Sequence, residues 1–151
     1  MDETFFNALL ELNEIISRRS FMQRTQFLQE HNLSNSQMMS LFHLLHNKSV
    51  SLNNLAHFLG ISNPAVSQLV EKLVRSDLVK RIPNPEDKRG KLLELTEKGK
   101  ELTQEGKLVN HQLGLDLVNS LTEDELPTIQ KAIEIILGKF NPDYSQRKNL
   151  H

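Results

Sequence analysis

The stretch that decides the fold is LNNLAHFLGISNPAVSQLVEKLVRSDLVKRI, Leu52 to Ile82. Its first part repeats apolar residues at helical spacing: Leu52, Leu55, Ala56 and Leu59 share one face. Gly60 follows, a residue able to take positive φ and end a helix. Ser62 then suits an N-cap, and Pro64 falls early enough in the next helix to be tolerated. Val66, Leu69, Val70 and Leu73 form that helix's inner stripe. Ala56 is small enough for a close helix crossing, with Ile61 and Val66 expected to lock the pair. Two short helices meeting at a tight glycine turn make a helix-turn-helix, whose second helix can enter a DNA major groove.

The outer face of that second helix has the matching chemistry. Asn63, Ser67, Gln68, Glu71, Lys72 and Arg75 are left outside. Asn and Gln can pair bidentately with adenine, Ser with several base edges, and Lys with guanine or a phosphate. The Ser62 end offers backbone N–H groups and a positive dipole to a phosphate. The expected base-reading set is therefore Ser62, Asn63, Ser67, Gln68 and Lys72.

Outward from this stretch the period changes. Leu78 to Ile82 and Lys91 to Leu95 read as two short strands joined by NPEDKRG, a hairpin tip longer than a two-residue turn. Before the helix pair lie two more helices. One covers residues 3–30, with Phe5, Phe6, Leu9, Leu10, Leu12 and Ile16 recurring at helical spacing. The other opens on Ser34 and Gln37, a capping-box pair, and carries Met38, Leu41, Phe42 and Leu45. After the hairpin, Thr96 caps a long helix to about Ser120. Thr122 with Glu125 signals a sixth, with Pro127 able to shift its start. The six glycines read as residues of turns and helix ends.

Charge is unevenly placed. From Lys72 to Lys91 seven bases stand against three acids, and from Glu101 to Phe140 seven acids stand against three bases. A basic segment in a chain of net charge −1 suggests a local anionic partner. The chain has no Cys, which excludes disulfides, thiolate nucleophiles and cysteine redox sensing. It also has no Trp and one Tyr, a poor supply for base-stacking platforms. No apolar run approaches the ~18 residues of a membrane span, so a soluble cytoplasmic protein with no membrane partner is expected. No P-loop, GxGxxG or GxSxG motif is present, and no cofactor or enzymatic activity is expected.

In series, these features resemble one family. Leu55 to Leu102 is similar to the winged helix-turn-helix of the MarR family of bacterial transcription regulators. The carrying motifs are Leu78-Val79-Lys80-Arg81, Asp87-Lys88-Arg89-Gly90 and Leu95-Thr96-Glu97-Lys98-Gly99, in order and correctly spaced after the recognition helix. The resemblance implies a mainly α fold with a small β-hairpin wing (α+β). Residues 33–100 would form the DNA-binding lobe, and 1–32 with 101–151 a helical dimerisation region. It implies a homodimer bound to double-stranded DNA at a pseudo-palindromic operator, acting as a repressor that responds to a small-molecule effector. Arg89 would enter the minor groove, drawn by its negative potential, with Asp87 bracing it and Lys88 beside them on the wing. Arg75, Arg81 and Lys91 would meet phosphates, which add affinity and salt dependence. Two other readings stay open: a winged-helix protein-interaction module without specific DNA, and a zinc-responsive regulator. For zinc the candidates are His43 and His111, although no metal-ligand motif accompanies them.

Overall fold

The computed structural model describes residues 2–85 and 90–141, the side chain of Asn110 excepted. The element order is α1 (Glu3–Glu30), α2 (Asn35–Asn47), β1 (Ser49–Ser51), α3 (Leu52–Leu59), α4 (Asn63–Arg75), β2 (Val79–Pro83), β3 (Lys91–Leu95), α5 (Glu97–Ser120) and α6 (Glu125–Phe140). Two compact units are present, Met1–His111 and Gln112–His151. None of the described helices is long and apolar enough to cross a membrane.

The first unit holds the core. Its buried apolar side chains run from Phe27 to Leu95, with Leu41, Leu55, Val66, Val70 and Leu73 fully enclosed. Local chemistry sets the helix starts around it. Asp2 caps α1, and Ser34 caps α2 in a reciprocal box with Gln37. The Ser51 hydroxyl accepts from the Asn54 N–H and the Ser62 hydroxyl from the Ala65 N–H, which satisfies donors that a helix start leaves orphaned. Gly60 closes α3 in the left-handed region, at φ 66°. No atom lies near the position a Cβ would take there, so it is the backbone angle rather than space that favours glycine. Within the helix pair Val66 is enclosed, but Ile61 is 37% exposed and does not lock the turn. On α2 the expected Phe42 and Leu45 pack partly buried against the core, and Leu44, which the sequence reading passed over, is fully buried.

The expected two-stranded hairpin supplies two strands of a three-stranded antiparallel sheet of order β1-β3-β2. Val50 of β1 pairs with Leu93, and Arg81 of β2 pairs with Leu93 from the other side. The hairpin register runs from Val79↔Leu95 to Pro83↔Lys91, and the Asn84 N–H bonds the Gly90 carbonyl. Pro83 stands on an edge strand, where its missing donor costs no ladder bond.

Glycines inside α5 allow close passage. A Cβ on Gly99 would collide with the Leu78 carbonyl oxygen, and one on Gly106 with the Met38 methyl and the Phe27 ring. Gly99 lies in the first turn of α5, a helix end as the sequence suggested, whereas Gly106 is a packing position inside the helix. Around Gly99 the end of α4 is tied to the start of α5. The Thr96 hydroxyl donates to the Asp77 carbonyl (2.6 Å) and accepts from the Gly99 N–H (3.0 Å). The Lys98 ammonium donates to the Ser76 carbonyl at 3.0 Å.

In the second unit α6 begins at Glu125, three residues past Thr122. Pro127 therefore falls in the first turn, where no intrahelical donor is needed. The Thr122 backbone N–H and hydroxyl both donate to the Glu125 carboxylate, holding its pKa below the ordinary value. No residue from 112 to 141 is buried.

Candidate nucleic-acid interface

Helix α4 presents the expected outer face. Its inner stripe, Val66, Val70 and Leu73, is fully buried. Pro64, Gln68, Glu71 and Arg75 follow at offsets of four, three and four residues, the spacing of one helix face. Of these, Gln68 and Arg75 are exposed and Glu71 is partly buried. Lys72 is exposed beside them. Asn63 stands exposed on the first turn, whereas Ser67 is only partly accessible at the edge of the face.

The Ser62 hydroxyl is committed to its capping bond with the Ala65 N–H, at 3.4 Å. Pro64 has no N–H to give. The Ser62 and Asn63 N–H groups are therefore what this turn can offer a phosphate, a leaner anion site than four free donors would make.

The basic residues are not independent. Arg81 of β2 reaches across to α4, and its Nη2 donates to Glu71 Oε2 at 3.1 Å. Arg75 Nε approaches the other carboxylate oxygen of Glu71, at 3.7 Å. One carboxylate thus holds two of the three residues expected to meet phosphates. The strand register explains Arg81's reach. Val79 and Arg81 share a face of β2, and Val79 is buried in the core under α4. Lys80, on the opposite face, pairs with Glu94 directly across the ladder at 3.3 Å. Lys91 is exposed at the end of β3, next to the hairpin tip. The wing residues Asp87, Lys88 and Arg89 lie outside the described residues.

Sequence reasoning passed over Glu71 as a holder of arginines. Its i,i+4 spacing to Arg75 was a readable signal. Its contact with Arg81, ten residues on, comes only from the packing of α4 against β2.

The two candidate histidines lie in different settings. The His43 ring stacks on Phe58 with centroids 3.9 Å apart and planes at 17°. His111 is exposed on α5. Among the described residues no group of three or more His, Cys, Asp or Glu side chains could hold a metal ion.

Comparison with known proteins agrees with this architecture. The MarR family model matches residues 31–90. The chain is 26% identical over 136 residues to the multiple antibiotic resistance protein MarR of Escherichia coli (strain K12), covering 87% of this chain and 94% of that protein. It resembles the crystal structure of a Staphylococcus aureus MepR–DNA complex with a TM-score of 0.70. The identity there is 25%, over 87% of this chain and 98% of that one. The fold is shared with the transcriptional regulator Tm0710 of Thermotoga maritima, at a TM-score of 0.74 and 19% identity over 95% of this chain and 99% of that one. With the helix pair, the three-stranded sheet and the order of motifs, these matches make the chain similar to the MarR family of winged helix-turn-helix transcriptional regulators.

Proposed function

We infer that the protein is a sequence-specific, double-stranded DNA-binding repressor that works as a homodimer on a pseudo-palindromic operator. The single observation that carries this reading is α4 itself, whose buried inner stripe turns Gln68, Lys72 and Arg75 outward beside the strands of the wing. Gln68, Asn63, Ser67, Ser62 and Lys72 are assigned to the major groove, and Arg75, Arg81 and Lys91 to phosphates. Asp87, Lys88 and Arg89 are assigned to the wing. A solved MepR–DNA complex of the same fold supports the reading.

The dimer rests on surface that one chain leaves open. In α1 only Phe27 and Leu28 are buried, while Phe5, Phe6, Leu9, Leu10 and Leu12 are all more than two-fifths exposed. In α6 Leu126, Ile129, Ile133 and Ile136 form a stripe that is more than a third exposed at each position, and the helix has no buried residue. Apolar surface of this extent is stable in water when a partner covers it. A second copy, joined through residues 1–32 and 101–151, would bring two 33–100 lobes to half-sites ~34–36 Å apart.

An effector would act through the tie between α4 and α5. A cavity of about 540 Å³ lies beside it, lined by His31, Ser76, Leu78, Lys98, Glu101 and Glu105. A small molecule that favours one placement of α5 would also bias the recognition helix, because Thr96 and Lys98 bond the backbone at α4's end.

Two substitutions separate base reading from phosphate contact. Gln68→Ala should weaken binding to the operator by roughly 5- to 100-fold, the loss of one bidentate base contact, and relax preference at one position per half-site. Lys91→Ala should weaken binding to every sequence alike and lower the salt slope by about 1. Fluorescence anisotropy with selected and scrambled duplexes measures both. Unchanged base preference in the Gln68 variant would remove α4 from the reading role.

A further inference from the structure

Glu71 is out of place on a surface built for phosphates. It lies on the same outer stripe as Gln68, at the middle of the recognition helix. A carboxylate there repels the DNA backbone wherever the helix lies against phosphates alone. It also occupies Arg81 at 3.1 Å and Arg75 at 3.7 Å, with a different oxygen on each. These pairs are partly exposed, with the Glu71 side chain 44% accessible, so they are easily exchanged and add little to stability. Their consequence is for what the arginines do next.

We propose that Glu71 is a specificity-determining residue that withholds Arg75 and Arg81 from phosphates on random DNA and releases them over a cytosine. The inference rests on the DNA-binding reading above. On a random duplex the two arginines remain shared with Glu71, and fewer phosphates are neutralised. Where a cytosine lies beneath α4, its N4 amino group donates to the Glu71 carboxylate. That bond replaces the arginines' claim on Glu71, and both guanidinium groups turn to the backbone. The acid therefore costs affinity on any sequence that cannot supply the amino donor.

The test uses the full chain, a duplex that it enriches from a random-sequence library, and a scrambled duplex of the same composition. Glu71→Gln keeps the shape and one acceptor but removes the charge. Affinity for the scrambled duplex should rise about eightfold at ~0.1 M salt for each extra phosphate neutralised, with a salt slope steeper by about 0.9. Affinity for the enriched duplex should change by less than about threefold, because the arginines no longer have to be parted from Glu71, which offsets the loss of a charge-assisted bond to cytosine. Repeating the enrichment with Glu71→Gln should lose a cytosine preference in each half-site. Glu71→Asp, which keeps the charge, should hold the enriched-to-scrambled ratio near that of the parent chain.

A scrambled-duplex affinity that stays level or falls in Glu71→Gln would overturn the proposal. So would an equal rise on both duplexes, which is a general charge effect without discrimination. If the parent chain enriches no sequence, the DNA reading itself fails, and that result precedes any variant.

Discussion

Gly99→Ala should lower the melting temperature by roughly 6–12 °C, corresponding to a loss of about 3 kcal/mol in a chain of this size. Helix propensity alone predicts the reverse, since alanine stabilises a helix interior by about 1 kcal/mol over glycine. The sign is decided by what the new methyl group meets. It would lie against the Leu78 carbonyl oxygen, with the Leu78 carbonyl carbon at 2.9 Å. Both are backbone atoms, which cannot turn aside as a side chain can. Relief would require α5 to lift away from the end of α4, breaking the Thr96 and Lys98 bonds to Asp77 and Ser76. Calorimetry of the variant gives the answer directly, and an unchanged or higher melting temperature would show that the α4–α5 tie is looser than described. Because that tie also orients the recognition helix, the variant should lose operator affinity at temperatures where it is still folded.

Replacing Ile133 by Glu should convert a two-chain particle into a single chain and lower operator affinity by ~10²-fold or more, the scale of avidity lost when two linked sites become one. Ile133 is 44% exposed in one chain, and lies on the stripe with Ile129 and Ile136. A carboxylate there is tolerated in an isolated chain but not in a dry interface, where an unpaired charge is strongly disfavoured. The enclosed core, Phe27 to Leu95, does not include α6, so circular dichroism should show the helix-turn-helix lobe intact. Analytical ultracentrifugation reads the assembly state. A variant that remains two-chain, or that binds operator as tightly as the parent, would contradict the assignment of α6 to the dimer.

Much of this architecture was legible in local chemistry. The Ser34–Gln37 box, the Ser51 and Ser62 caps and the left-handed Gly60 all follow from rules spanning four or five residues. The strand β3 was equally plain, as a short leucine-rich run that follows a polar hairpin tip. What sequence could not supply was partnership at a distance. Ser49–Ser51 is three residues long and merges into a helix cap, so its pairing with residues 92–94 leaves no periodic trace. Gly99 and Gly106 resemble any helix-weakening glycine until Leu78, Phe27 and Met38 arrive against them. The link from Glu71 to Arg81 likewise exists only once β2 folds back along α4. Ile61 shows the converse, a large apolar residue expected to lock the helix pair that stands partly in solvent. At the candidate interface, sequence identified the exposed face of α4 correctly for Gln68, Lys72 and Arg75, but treated the arginines as free cations.

The central claim is that this chain reads DNA sequence through α4. The most direct measurement is a titration of the full chain with an enriched duplex and a scrambled one, between ~50 and 200 mM salt. The enriched duplex should bind at least ~10³-fold more tightly. On both duplexes, log K should fall linearly with log salt, by about 0.9 per phosphate contacted. Equal affinity for the two duplexes across that range would contradict it.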